Sequence, residues 1–155
     1  MDTVTAIQKV EELLKPWTEG VQKPFDNRVD IDIQAKNFLP IVKTLLDARW
    51  GYLSAITGVD RPGETEKDSH IEVLYHFCEG AAILTLRVKL PYSNPVIDSV
   101  CGLIPSVTLY ERELMEMFGV VITDTPDTDH LLLPDEWPEG VYPLRKSFTG
   151  LGTSA

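Results

Sequence analysis

His70-Ile71-Glu72-Val73-Leu74-Tyr75-His76-Phe77, followed after Cys78-Glu79-Gly80 by Ala82-Ile83-Leu84-Thr85-Leu86-Arg87-Val88-Lys89-Leu90, is the stretch that decides the fold. Ile71, Val73, Tyr75 and Phe77 alternate with His70, Glu72, Leu74 and His76. In the second run Ala82, Leu84, Leu86, Val88 and Leu90 alternate with Ile83, Thr85, Arg87 and Lys89. A period of two sends each set to one side of a strand, and the glycine-containing link is short. The two runs therefore predict an antiparallel hairpin with one core face and one mixed face. On the mixed face Arg87 and Lys89 come across from Glu72, a contact worth roughly a few tenths of a kcal/mol when solvated.

Outward from the hairpin, Tyr52 to Val59 reads as a strand stopped by the turn-rich Asp60-Arg61-Pro62-Gly63. Val29, Ile31 and Ile33 alternate with Asp30 and Asp32 in a shorter, half-buried strand. Two helices flank that shorter strand in the sequence. Val4, Ile7, Val10 and Leu14 recur at helical spacing over Thr3 to Leu14, and Pro16 closes that helix. Phe38, Ile41, Val42, Leu45 and Leu46 form the apolar stripe of a second, with Asn37 as its N-cap. Asn94-Pro95 predicts the start of a short helix through Val96, Ile97 and Val100, before Gly102 and Pro105. Thr108-Leu109-Tyr110-Glu111 matches a capping box and opens a helix that Gly119 ends after Phe118. The expected fold class is α+β: a small, mostly antiparallel sheet backed by helices.

The carboxyl-terminal quarter has no sustained period. Pro126, Pro134, Pro138 and Pro143 forbid a long helix there. Yet Val120-Val121-Ile122, Leu131-Leu132-Leu133, Trp137, Val141, Tyr142, Leu144 and Phe148 are too apolar for a disordered tail. A long irregular segment of this kind is usually functional or bound to a partner, although part of it can fold back over the sheet. The expected organisation is a core domain over 1–118 and an extended, partner-binding arm over 119–155.

Composition narrows the function. The chain has 155 residues and a formal net charge of −10, a field that repels nucleic-acid backbones and anionic lipid. No run approaches the roughly 18 apolar residues of a membrane span, and the charged, amphipathic amino terminus does not resemble a signal peptide. Membrane association is therefore expected only through other proteins. Cys78 and Cys101 form no C-x-x-C pair and read as buried structural thiols. There is no phosphate-binding loop, dinucleotide fingerprint, nucleophile elbow or zinc-protease motif.

The charged run Glu111-Arg112-Glu113 is the natural place to look for a site. On a helix Arg112 and Glu116 are an i, i+4 pair on the side that carries Glu113. Glu111 points toward the apolar side, beside Leu114, Met115 and Phe118. Either it is a buried or interfacial carboxylate with a specific partner, or it reaches back to the Thr108 amide as the capping-box acceptor. No nucleophile or second acid stands beside the run, so it is a poor catalytic group. His70 and His76 share a strand face with Glu72, but lie about 20 Å apart along it, too far for one metal ion. His130, among Asp127 and Asp129, reads as part of a solvated acidic turn.

The stretch Ser106-Val107-Thr108-Leu109-Tyr110-Glu111-Arg112-Glu113-Leu114-Met115-Glu116-Met117-Phe118-Gly119 resembles the signature of the 30 kDa-type subunit of NADH:quinone oxidoreductase, respiratory complex I. The same family includes soluble subunits of membrane-bound energy-converting [NiFe] hydrogenases. Tyr52-Leu53-Ser54-Ala55-Ile56-Thr57-Gly58-Val59-Asp60, Leu131-Leu132-Leu133-Pro134-Asp135-Glu136-Trp137 and Val141-Tyr142-Pro143-Leu144-Arg145-Lys146 agree with the family in order and spacing. The resemblance departs at Asp129-His130, where respiratory members often carry two basic residues. With the short chain and its Trp-Pro-Glu-Gly ending, this tilts the likeness slightly toward the hydrogenase branch.

What the resemblance implies is a subunit of a membrane-bound oxidoreductase complex with no active site or redox group of its own. It would lie peripherally on the cytoplasmic side and pack on the large subunit that holds the quinone or [NiFe] site. Iron–sulfur clusters would belong to other subunits of the complex. The implied partner interface comprises Glu111, Arg112 and Glu113, which would orient the helix, and Trp137, Tyr142, Leu144, Arg145, Lys146 and Phe148 of the arm. Arg145 and Lys146 would pin the acidic tail to acidic groups or helix ends of the partner. A stand-alone adaptor or binding domain is the alternative from a different class.

Overall fold

The computed structural model describes residues 2–152; Met1 of the expected core domain and residues 153–155 of the expected arm lie outside it. The hairpin is its centre. Strands β4 (His70–Glu79) and β5 (Ala82–Pro91) pair antiparallel from His70 opposite Pro91 to Glu79 opposite Ala82. Gly80, at φ 57°, makes the tight turn between them. The strand read over Tyr52 to Val59 is β3 (Tyr52–Arg61), antiparallel on the far side of β4. The strand of Val29, Ile31 and Ile33 is β2 (Arg28–Ile33), which joins β5 in the sheet's one parallel pairing. A further strand, β1 (Gly20–Phe25), pairs antiparallel with β2, so the order is β1-β2-β5-β4-β3. Sequence patterning does not show β1. It is an outer strand, largely exposed, so nothing requires it to alternate, and Pro24 is tolerated because one edge needs no donor.

Helices α1 (Thr3–Leu14), α2 (Phe38–Asp47) and α3 (Thr108–Phe118) join the inner face of this sheet in one buried cluster. The ring of Phe38 lies 4.1 Å from that of Tyr75, and Leu114 and Phe118 close on Gly58 of β3. The register of α1 differs from the expected stripe: Val4 is 61% exposed, while Ala6 joins Ile7, Val10 and Leu14 in the core. Tertiary packing makes the choice: the buried Trp50 indole donates to the Ala6 carbonyl at 3.0 Å. Asp2 caps the helix by accepting from the Thr5 amide at 3.0 Å.

Asn94-Pro95 does not start a helix. Val96–Asp98 is a short strand, β6, parallel to β7 (Val121–Thr123), with Val96 opposite Val121. Three residues are too few for periodicity to separate strand from helix, and the decision is made by Val121, whose amide donates to the Pro95 carbonyl at 2.8 Å. Consequently Val120 and Ile122, the first apolar residues of the arm, lie in the core.

Among the described residues no helix joins the outer face of the sheet, yet that face is not simply wet. Glu72 is only 2% exposed, because Arg87 and Arg61 lie across it with contacts of 2.5 and 3.1 Å. Arg28 covers Asp30 in the same way at 2.7 Å. His76 sits between the Thr57 and Thr85 hydroxyls, at 3.2 and 3.1 Å. Burial raises the Glu72 carboxyl, but Arg87 and Arg61 outweigh it and hold the group below its ordinary 4.5. Burial, with Arg28 adding to it against the pull of Asp30, lowers the His76 imidazole from its ordinary 6.5.

Both groups bind fewer protons folded than unfolded, so both contributions are present at high pH and fade on acidification. Stability is expected to hold down to the ordinary histidine value of 6.5 and then decline as His76 charges. A second decline begins below 4.5, as Glu72 protonates. Urea midpoints measured across this range test it: His76→Gln should abolish the upper step alone, and a wild-type midpoint that rises on acidification would contradict the assignment.

Candidate partner-docking site

α3 organises the residues that the sequence marks. Its amphipathic register turns Leu114 and Phe118 onto the sheet, where Gly58 leaves room. Gly119, at φ 73°, ends it in a left-handed turn, with its amide donating to the Met115 carbonyl at 3.0 Å.

Glu111 takes the first of its two readings. No side chain caps α3, whose N-cap is Val107. The Glu111 carboxylate is 1% exposed and turns instead to the segment after β6. It accepts from the Val100 amide and the Ser99 hydroxyl, both at 2.8 Å, and from the Thr125 hydroxyl at 3.0 Å. The Cys101 thiol donates to it at 3.1 Å. Neutral donors and the positive end of α3 stabilise the charge in place of a cation. Burial, and then the neighbouring carboxylate, push the Cys101 thiol up, which keeps it an unreactive donor. Cys78, expected to be buried, is half-exposed beside Ser54.

Arg112 and Glu116 do not pair with each other; each takes hold of the arm. Arg112 donates to the carbonyls of Asp129 and His130, at 2.9 and 2.8 Å, and lies 3.3 Å from the Asp127 carboxylate. Glu116 is buried and accepts the main-chain amides of Leu131, Leu132 and Leu133, at 3.0, 2.8 and 3.4 Å. A segment too rich in proline for regular structure thus has amide donors and carbonyls satisfied by two side chains of one helix.

The end of the arm is seated at the other end of α3. Arg145 donates to the Phe118 carbonyl at 2.7 Å, a cation at a helix carboxyl terminus. Its guanidinium lies 4.8 Å from the Tyr92 ring centre and 5.2 Å from that of Tyr142. The Lys146 amide donates to Asp60 at 2.7 Å, and the Tyr92 hydroxyl donates to the same carboxylate. Burial and Asp60 together push that phenol up to about 12. The Leu144 amide donates to the Met117 carbonyl at 3.1 Å. Trp137 donates to the Val141 carbonyl at 2.8 Å, with its ring 6.2 Å from that of Phe148.

Gly119 has a second role in this contact, since a Cβ there would come within 2.4 Å of the Tyr142 ring. Gly119→Ala is expected to cost about 1–2 kcal/mol from the left-handed backbone alone, and to lift Tyr142 and loosen the arm. Limited proteolysis with mass spectrometry should find earlier cleavage between Asp127 and Arg145. An arm as protected as in the wild type would show that the glycine contact does not seat it.

The residues expected at a partner interface therefore divide. Glu111 is buried inside the chain, and Arg112, Tyr142 and Arg145 are half-buried holding the arm on its own domain. Trp137 and Phe148 pack on each other, half-buried, while Glu113, Leu144 and Lys146 are exposed. Sequence reading missed Asp60, Tyr92 and Ser99, which have no periodic signal and matter only because a distant segment meets them. Among the described residues no three His, Cys, Asp or Glu side chains gather as a metal site, and no helix is long and apolar enough to cross a membrane.

Comparison with known proteins agrees with this architecture. Residues 31–154 match the family described as respiratory-chain NADH dehydrogenase, 30 Kd subunit. The F(420)H(2) dehydrogenase of Methanosarcina mazei has a subunit that is 31% identical over 134 residues, covering 84% of this chain and 80% of its own length. Membrane-bound hydrogenase subunit beta of Pyrococcus furiosus is 39% identical over 83 residues, covering 54% of this chain and 47% of that protein. A chain of the archaeal membrane-bound sulfane sulfur reductase complex shares the fold, with a TM-score of 0.78 at 22% identity over 93% of this chain and 85% of that one. By the extent of the match and the agreement of fold, the chain belongs to the 30 kDa-subunit family of respiratory-chain NADH dehydrogenases, whose relatives include subunits of membrane-bound hydrogenases.

Proposed function

We propose that the chain is a non-redox structural and assembly subunit of the peripheral arm of a membrane-bound, multi-subunit oxidoreductase of the complex I and energy-converting hydrogenase superfamily. In this reading it lies on the cytoplasmic side and packs on the large subunit that holds the quinone or [NiFe] site. It thereby supports electron transfer coupled to ion translocation. Iron–sulfur clusters and the reacting site belong to its partners.

The observation that carries the reading is the surface shared by α3 and the arm. Arg112, Glu116 and Arg145 hold an irregular segment in a defined path. That path leaves Leu132 63% and Leu144 52% exposed, with Leu109 of α3 exposed as well. Ordering such a segment costs roughly 1–2 kcal/mol of backbone entropy per residue, so a prearranged arm lowers the cost of docking. Large apolar side chains held outward in this way fit a protein interface.

Purification of the tagged chain from its host in mild detergent, with mass spectrometry of what accompanies it, tests the proposal. Recovery of a quinone-site or [NiFe]-type large subunit with iron–sulfur proteins is the expected result, and a stable monomer recovered alone would overturn it. A self-contained adaptor is the second reading, favoured by the arm being bonded to its own domain, and the monomer outcome would support it.

A further inference from the structure

We propose that the groove between β3 and α3, lined also by Leu144, receives an arginine or lysine side chain of a neighbouring subunit. The proposal rests on the subunit reading above and supplies the chemistry of one of its contacts. Ile56 and Gly58 of β3, Tyr110 and Leu114 of α3, and Leu144 of the arm line the groove with Glu113, enclosing about 210 Å³. These residues come from three of the segments whose sequence resembles the family, and only the fold brings them together.

Glu113 is the one charged residue in the lining. Its neighbours on the helix are all engaged within the chain: Glu111 by the Val100 amide, Arg112 by Asp127, Glu116 by the amides of 131–133. Glu113 makes no ion pair among the described residues and is exposed. A groove that mixes Ile56, Leu114 and Leu144 with Thr57, Tyr110 and a single carboxylate fits a side chain with an aliphatic stem and a cationic head, which only lysine and arginine provide. A wholly apolar occupant would strip water from Glu113 without replacing it. An acidic occupant would meet both Glu113 and a chain of net charge −10.

A second copy of this chain does not fit through the same face, because the lining offers no cation to meet Glu113. β3, which lines the groove, is an outer strand of the sheet, with no strand paired on its far side among the described residues. The segment carrying the cation can therefore lie along a free strand edge, which adds main-chain contacts and fixes its register.

The test uses the assembled complex, purified through a tag on this chain and washed at rising salt. Glu113→Gln is expected to lower the amount of neighbouring subunit retained several-fold, and Glu113→Lys roughly tenfold or more, the loss of a charge-assisted contact with repulsion added. Leu144→Lys, which places a resident cation in the groove, should act like Glu113→Lys. Urea midpoints of all three isolated chains are expected to match the wild type, which separates loss of docking from loss of folding. Undiminished recovery with Glu113→Lys and Leu144→Lys would overturn the groove assignment while leaving the subunit reading in place. Recovery of no partner even by the wild-type chain would overturn the subunit reading itself, and the groove with it.

Discussion

Glu111→Ala is expected to lower the unfolding free energy by about 3–4 kcal/mol, since it leaves a small cavity and a main-chain donor that no rotation can satisfy. Four donors converge on this one carboxylate: the Val100 amide, the hydroxyls of Ser99 and Thr125, and the Cys101 thiol. They tie α3 to the link after β6 and to the segment after β7, so the loss should spread beyond the helix. Glu111→Gln is expected to cost less, about 1–2 kcal/mol. Its amide oxygen can keep the Val100 bond, and the hydroxyls can reverse to accept from the new NH₂ group. A domain of this size has only about 5–15 kcal/mol in total, so the alanine variant should show a clear fall in urea midpoint and in expression. If alanine lies within about 1 kcal/mol of the wild type, the carboxylate does not organise this region.

The second large effect is expected at Arg87. Arg87→Met should cost about 2–3 kcal/mol, because it removes the nearest cation and its hydrogen bonds from a carboxylate that the methionine chain still partly covers, leaving Arg61 alone to pair with it. Arg87 donates two hydrogen bonds to Glu72, at 2.8 and 2.5 Å, and lies 3.6 Å from Asp30. Arg61 and Arg28 remain, but they approach the two carboxylates from other sides. The decisive measurement is a double-mutant cycle by urea unfolding. Adding Glu72→Leu to Arg87→Met should recover much of the loss, since the penalty lies in the charge left buried. Additive losses would mean that the two side chains act independently. The same face explains why a pair worth a few tenths of a kcal/mol in water becomes a major element of stability here: the arginine stems themselves exclude the solvent.

Much of the fold was legible because its signals are local. Alternation from His70 to Leu90 specified the hairpin, since a slip of one residue would have sent Ile71, Val73, Tyr75 and Phe77 to the wrong face. α2 followed from helical spacing; α3 was placed by a capping box that does not form, its N-cap being Val107, and by Gly119, whose left-handed backbone marks its end. The family resemblance was likewise carried by contiguous blocks, and the match over residues 31–154 bears it out.

What was missed has a common cause. β1 carries no core face and so no pattern, and β6 became a strand only because Val121 reached it from the far side of α3. Val4 and Ala6 flank the same apolar stripe of α1, and only the packing of Trp50 against Ala6 decides which of them is buried. A capping box and a buried carboxylate look identical in Thr108-Leu109-Tyr110-Glu111, because the groups that separate them, Ser99, Val100 and Thr125, lie on other segments. The arm is the clearest instance. Its composition announced an ordered but irregular segment in need of a surface, and the first surface it finds is its own helix, through Arg112, Glu116 and Arg145.

Sequence by itself thus determined the sheet's centre, the helices on its inner face and the family, all of which rest on patterns within one segment. Tertiary structure alone decided which charges are buried and which stay exposed. That choice depends on donors and cations brought together from segments far apart in the chain, and no local pattern encodes their meeting.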